Sequence, residues 1–514
     1  MKTKRYGIAM RTLLLAFTLS LLGGAAAHAQ SPDKPDDKRP KRPAAEAKDK
    51  EKEDSAAAKT SESEKPASPV TAIVGGDIYT VTREVIRRGT VLVQGGKILE
   101  VGQNIKVPDG ATVIDATGMV ITPGFVSITT RGVGLDGTPS TGAKFADQLD
   151  PYDTNIKIAL GVGITTACVQ VSSRSGRSRR RAEDSLFVGL DPTAEQIAAT
   201  GVAFNLDFGD PDTAVCQCCG LPILPTEPIE RATPEPIRAQ KNAVIKMSAG
   251  RLDGMMVSDN VFYHVTPGAL TGALNRHTWR QTIAKAREYL KLQAEHEAKT
   301  ARKEKSKPPR KPVGDDVLAL VQKKVALRIS SDSVSAIRDM LDLAEELDYR
   351  LVIEGATEGW VIPDELAEAS VPVVITPRRR RQPRLAHEAD SGSNIESSRI
   401  YESSGVPFGI APLSSSISLN GLAGRDLTSL PLEAAFAVRG GCSEQTALQA
   451  LTIVPARMLG LEDRIGSIEA GKDADLLILN GQPMDYRTYV ETALVNGHVV
   501  YKRHDDRILP TFKR

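Results

Sequence analysis

Histidine is scarce in this chain of 514 residues, with seven in all. His264, His277, His296, His387, His498 and His504 fall singly along the body, and His28 lies in the opening segment. No two form H-x-H or H-E-x-x-H, which excludes the compact imidazole pairs that grip a metal from one strand or helix. Nucleotide chemistry lacks its signature as well, because G-x-x-x-x-G-K-[ST] occurs nowhere. Ser414-Ser415-Ser416 has no G-x-S-x-G elbow around it, so a serine nucleophile has no support. The cysteines are Cys168, Cys216, Cys218, Cys219 and Cys442. Cys216 and Cys219 have C-x-x-C spacing, but no second Cys or His pair completes a zinc site. In an exported chain the expected use is a disulfide among these three or with Cys168 or Cys442. Past the first 30 residues no stretch is apolar and long enough to span a bilayer, so no transmembrane helix is expected.

The opening reads as a secretory signal. Lys2, Lys4, Arg5 and Arg11 precede an apolar run over 12–27, and Ala27-His28-Ala29 supplies small residues for cleavage before Gln30. The expected location is therefore periplasmic or extracellular. Residues 30–69 turn to Lys, Asp, Glu, Pro, Ala and Ser without an apolar face, a composition that cannot offset its ordering entropy and predicts a disordered charged linker. Its basic residues are matched by acids, which argues against a nucleic-acid arm.

The body opens with short β-rich runs at 71–80, 89–93, 97–101 and 112–115, separated by turn signals such as Gly-Gly and Pro-Asp-Gly. They predict an antiparallel sheet with an unfinished edge, and the far end offers the completing runs at 475–479, 492–496 and 498–502. Between these halves β-rich runs alternate with helical patterns, as a parallel barrel requires. The expected strands are 120–129, 164–171, 202–206, 243–247, 326–330, 350–354, 371–376 and 406–411. A helical stripe of Val334, Ile337, Leu341, Ala344 and Leu347 predicts a helix with Asp332 as N-cap. Residues 280–307 predict a long charged helix, read as a solvated face or a lid.

Two stretches carry a resemblance: VITPGFVSITTR at 120–131 and GSIEAGKDADLLIL at 466–479. With GVGITT at 161–166, NAVIKM at 242–247, RLVIEGATEGW at 350–360 and ALQALTIVPARMLGL at 447–461, the chain resembles a secreted, imidazolonepropionase-like branch of the amidohydrolase superfamily. The resemblance implies an α/β protein: a (β/α)8 TIM-like barrel plus a small composite β-sandwich domain built from both ends of the chain. It implies a signal peptide at 1–29, the linker at 30–69, half-domains at 70–119 and 463–505 around a barrel at 120–462, and a tail at 506–514.

It also implies zinc or another divalent metal, held by residues that this chain lacks. The first strand would supply two histidines, and Thr129 and Arg131 stand there. Ser330 and Gly355 stand where two further histidines belong, and no carboxylate occurs at 412–414 for the last-strand aspartate. Lys246 matches a bridging lysine, which alone holds no zinc; a structural or anion-binding role is expected for it. What is present instead is arginine. Arg131 ends the first strand, Arg179 and Arg180 lie in the run after the second, and Arg378 and Arg379 begin the run after the seventh. In a barrel these ends share the substrate-binding face, and a guanidinium is a permanent charge with forked donors for carboxylate, sulfate or phosphate. The expectation is a degenerate, metal-free member that binds an anionic small molecule or polymer. The alternatives are a working hydrolase of carbon–nitrogen bonds with a displaced metal site and an envelope scaffold held by its linker.

Overall fold

The computed structural model describes residues 69–135, 144–170, 237, 239–266, 268–385, 387–415, 417 and 430–506. The signal segment, nearly all of the linker, the strand expected at 202–206 and the tail beyond 506 lie outside the described residues.

The N-terminal strands are β1 (Thr71–Ile78), β2 (Ile86–Gln94), β3 (Lys97–Gly102), β4 (Thr112–Asp115) and β5 (Val120–Pro123). Then follow β6 (Phe125–Thr130), β7 (Ile164–Gln170), β8 (Asn242–Lys246), β9 (Met256–Asp259), β10 (Phe262–His264), β11 (Ala326–Ser331), β12 (Leu351–Gly355), β13 (Val373–Ile375) and β14 (Phe408–Ile410). The last three are β15 (Leu476–Leu479), β16 (Val490–Val495) and β17 (His498–Lys502).

Both ends of the chain meet in one sheet. Its order is β17-β16-β15-β5-β1-β2-β3, with β4 on β1. β15 lies antiparallel to β5, Leu477 opposite Thr122 and Ile478 opposite Ile121. All four residues of β15 are buried, and Leu476, Ile478 and Leu494 pack with Ile73, Val91 and Ile121 in one cluster. The expected antiparallel sheet is in fact mixed, because β4 and β5 both pair parallel to β1. The described strands from both ends are joined in one hydrogen-bonded sheet.

The central strands form two sheets of a TIM-barrel-like α/β fold, β6-β7-β8-β9 and β10-β11-β12-β13-β14. The second is parallel throughout and β6 is parallel to β7. β8 departs from the expectation of an all-parallel barrel, since it runs antiparallel to both β7 and β9. The sheets touch at both edges: Gln240 bridges His264, Arg131 N–H donates to the Ser415 carbonyl at 2.7 Å, and Ile417 N–H donates to the Arg131 carbonyl at 3.1 Å. Alternation along each strand sends one face inward. Val126, Ile128, Cys168, Phe262, Val352 and Val374 share an apolar cluster inside the strands, whereas Trp279, Ile283, Ile337 and Met340 belong to the larger cluster that holds the helices.

Helix α1 (Thr154–Gly161) is capped by Asp153, whose side chain accepts from Asn155 N–H. The charged helix α2 (Ala273–Ala301) buries Trp279, Ile283 and Ala286 near its start, so that end is anchored to the core. After α3 (Asp315–Val321) comes α4 (Val334–Glu346), which buries Ile337, Met340, Leu343 and Ala344. Its N-cap is Ser333, accepting from Ala336 N–H, and not the expected Asp332. Asp332 is engaged elsewhere.

Candidate functional site

A cavity of about 330 Å³ opens where β6, β7, β10, β11, β12 and β13 end, lined by Thr129, Arg131, Gln170, Gln240, His264, Ser330, Glu354, Gly355, Thr376 and Arg379. The structure thus gathers Thr129 and Arg131, Ser330, and Gly355, from three strand ends, into one site. Pro412 and Leu413 line it as well. A second cavity of about 420 Å³ lies by Lys323, Arg350 and Arg457 near the starts of β11 and β12. The smaller cavity stands at the strand ends where barrels of this kind bind ligands.

Each side chain has a local reason to be there. The β6–β7 register slips between Ser127 and Thr130, and a bulge of this kind re-aims a side chain. Thr130 Oγ1 donates to Ser127 Oγ at 2.6 Å and holds the slip in place. On β11 and β12 the register sets Ser330 opposite Glu354, and Arg328 opposite Val352, so all four share the inward face.

Arg328 is the residue that sequence reading missed. Its side chain is fully buried. One Nη donates to the Ile128 carbonyl at 2.7 Å, and the other contacts Thr129 Oγ1 and lies 3.0 Å from Glu354 Oε2. The Thr129 hydroxyl in turn donates to Glu354 Oε1 at 3.1 Å. Below them the guanidinium stacks over Phe262, 5.3 Å from the ring centroid. Burial works against ionisation of Glu354, but the charge of Arg328 and the hydrogen bonds from Thr129 and Arg328 outweigh it, leaving the carboxyl below its ordinary range. His264 Nε2 faces Glu354 Oε2 at 3.9 Å. Burial, then the Arg328 charge, pushes its imidazole down to about 4 against the pull of Glu354, so it is neutral at neutral pH.

The arginines expected at the mouth divide. Arg131 is exposed at the rim, and among the described residues its guanidinium reaches only Gln170 Oε1, at 3.4 Å. Arg379 lines the cavity and pairs with Asp332 at 3.0 Å. Arg378 does not line it: its charge is taken by the fully buried Glu433 at 2.7 Å and its plane lies over Phe436. Arg179 and Arg180 lie outside the described residues, as does the Cys216–Cys219 cluster. Cys168 and Cys442 are buried free thiols.

Of the two roles expected for Lys246, the structural one fits and the anion-binding one does not. Because β8 runs antiparallel, its C-terminal end points away from the cavity, and Lys246 Nζ meets Asp473 at 2.7 Å, Asp475 at 2.9 Å and Asn496 Oδ1 at 2.5 Å. Two carboxylates leave it no charge for an anion. The strand beside β11 is β10, and the residue at its end is His264.

Gly355 has a φ of +91°, and a Cβ there would stand 2.4 Å from Asp332 Oδ1. Any side chain at this position meets both a strained backbone and a carboxylate held by Thr357 at 2.6 Å and by Arg379. Gly355→Ala is therefore expected to lower stability by about 1–3 kcal/mol. Urea unfolding with an unchanged midpoint would remove this account of the glycine.

Among the described residues no group of three or more His, Cys, Asp or Glu side chains is arranged to hold a metal ion. No described helix is long and apolar enough to cross a membrane.

Residues 361–513 match the model of the Amidohydrolase family. An imidazolonepropionase of Thermoplasma acidophilum is 32% identical over 114 residues, 21% of this chain and 26% of that protein. An N-acetylglucosamine-6-phosphate deacetylase of Mus musculus is 37% identical over 65 residues, 13% of this chain and 15% of that protein. The chain thus covers about a quarter or less of the length of these relatives. The crystal structure of an amidohydrolase from Thermotoga maritima MSB8 superposes with a TM-score of 0.58 at 24% identity, covering 84% of this chain and 100% of that one. That likeness is one of fold; the family match over 361–513 and the partial sequence relatives support the amidohydrolase superfamily for this chain.

Proposed function

We propose that this amidohydrolase-superfamily protein is exported and binds a small anionic ligand in the cavity at the strand ends, with guanidinium groups supplying the positive charge that a divalent metal supplies in the superfamily. The observation that carries this reading is Arg131. Among the described residues its guanidinium has no carboxylate partner, while the cavity's other charges, Arg328 with Glu354 and Arg379 with Asp332, are matched in pairs. An unmatched cation at a concave site attracts an anion. The volume of about 330 Å³ suits a small molecule.

Among the described residues the donor set does not fit a divalent metal. His264 and Glu354 are the site's imidazole and carboxylate, and Glu354 already faces a permanent positive charge that opposes a second cation beside it. Thr129, Ser330 and Gly355 offer two neutral hydroxyls and no side chain. Export rests on the N-terminal signal pattern and the neighbouring charged linker.

The test is binding of an anion panel, with sulfate, phosphate and succinate, to the mature chain. Saturable binding that weakens as salt rises is expected, since exposed charges are screened over ~10 Å at moderate ionic strength. Arg131→Ala should weaken it by about 10- to 100-fold, the worth of one charged hydrogen-bonded contact. No saturable binding, or equal binding by the variant, would refute the reading. The family match over 361–513 favours a second one, hydrolysis of carbon–nitrogen bonds other than peptide bonds. Turnover of a cyclic amide that depends on an added divalent metal would establish it instead.

A further inference from the structure

Beneath Arg131 stands a histidine whose second ring nitrogen has nothing to bond. His264 is 7% exposed and lines the cavity. Its Nε2 faces Glu354, while Nδ1 is buried and without a hydrogen-bond partner among the described residues. Gln170 repeats the pattern, since its Oε1 accepts from Arg131 and its buried Nε2 has no partner. Buried polar atoms are rarely left unsatisfied, and each exception calls for a cause.

We propose that the cavity takes its anion together with one proton, which His264 accepts, making His264 a ligand-binding residue selective for anions that can accept a hydrogen bond from its ring. The inference rests on the anionic-ligand reading above. Only an imidazolium has donors on both nitrogens, so protonation lets Nε2–H face Glu354, gives Nδ1 a hydrogen to donate, and adds a positive charge beside the ligand. The proton comes from solvent, adds to the lone pair of one ring nitrogen, and no bond of the ligand breaks.

The charges around the ring decide when this happens. Arg328 faces it from β11, Glu354 from β12, and Arg131 from beyond β6. The neighbours on β8 and just before it, Asn242 and Gln240, are uncharged, as is Gln170 on β7. Cys168 on β7 stays neutral, because burial pushes its thiol up to about 11. Without ligand, burial and two guanidiniums oppose the imidazolium, and Glu354 alone favours it. An anion on Arg131 cancels one opposing charge and brings a negative one into the same water-poor space. The imidazole of the complex then titrates above that of the free protein. Affinity accordingly rises as pH falls from neutral through the complex's value and levels off below the free protein's value near 4, by about tenfold for each unit between the two.

The experiment uses sulfate, which stays unprotonated across the range, titrated into the mature chain at constant ionic strength between pH 8 and pH 5. Expected are an affinity that rises about tenfold or more toward pH 5, and calorimetric heats that differ between buffers of different ionisation enthalpy, reporting up to about one proton taken up per sulfate. His264→Gln should bind sulfate weakly with no pH dependence. Sulfate binding without proton uptake in the unmutated protein, or an unchanged pH profile in His264→Gln, overturns the role of His264 and leaves the anion-binding reading standing. No sulfate binding at any pH overturns the proton coupling, and silence of the whole anion panel sinks the cavity reading with it.

Discussion

Cutting the chain after Glu462 should leave a protein without a cooperative unfolding transition. The removed residues carry β15, β16 and β17, and β15 is an interior strand of the end-joining sheet, flanked by β5 and β16. Leu476, Leu477, Ile478, Leu479 and Leu494 are all at most 2% exposed. At roughly 1.5–3 kcal/mol for each fully buried large apolar side chain, these five alone match the whole margin of ~5–15 kcal/mol that holds a domain folded. The cut also bares the β5 edge next to apolar Ile121, a template for aggregation. Soluble expression and near-ultraviolet circular dichroism of the truncated chain are the measurements. A native-like spectrum with an unchanged melting temperature would mean that the two ends do not depend on each other.

That dependence was legible before any coordinates, for a physical reason. Short β-rich runs at 71–80 and 475–479 are each too small to bury a face alone, and two unfinished edges of the same type predict one sheet. The parallel strands β11 to β14 were legible likewise, because a strand covered on both faces reads as a short apolar run between turn signals. Strand direction is another matter. Nothing in NAVIK distinguishes a parallel strand from an antiparallel one, since the same side chains alternate to the same two faces whichever way the strand runs; only the pairing with β7 and β9 settles it. Placing Lys246 at the cavity followed from that ambiguity.

The site was legible in its positions and not in its chemistry. Thr129, Arg131, Ser330 and Gly355 were found because strand ends in a known order converge. Arg328 and Glu354 stand in the expected strands at 326–330 and 350–354, two residues before Ser330 and one before Gly355. The available signal was parity. Arg328 and Ser330 are two apart and must face the same way, so an inward Ser330 carries a guanidinium into the interior, where it needs a carboxylate on a neighbouring strand. His264 carried no site signal in the sequence, because FYH is a strand of only three residues, too short to show alternation.

The largest effect of a single substitution should come from Lys246, at the opposite end of the strands from the cavity. Its ammonium is fully buried and has three acceptors for its three protons: Asp473, Asp475 and Asn496. Asp473 is shared with Lys97 and Arg464, whereas Asp475 has Lys246 as its cation and also accepts from the Asn496 backbone N–H at 2.8 Å. Lys246→Met fills the space and leaves two carboxylates in the interior with one cation fewer, which is expected to cost about 3–5 kcal/mol. Adding Asp475→Asn should recover part of that loss, because the stranded charge is then gone while the amide carbonyl can still accept from Asn496; a sum of two independent losses would show that the lysine and the aspartate are not coupled. The cluster also sets an acid limit. Burial raises Asp473, but hydrogen bonds from Lys246 and Lys97 and the charges of Lys246 and Arg464 hold it at about 2. A carboxyl depressed in the folded state stabilises fully above its unfolded value near ~3.9 and loses that contribution as pH falls through the folded one. Stability of the unmutated protein should therefore decline between about pH 4 and pH 2, and Lys246→Met, whose Asp473 titrates higher, should begin its decline at higher pH. Denaturant midpoints across that range decide it: coincident profiles for the two proteins would remove Lys246 as the group that keeps Asp473 ionised.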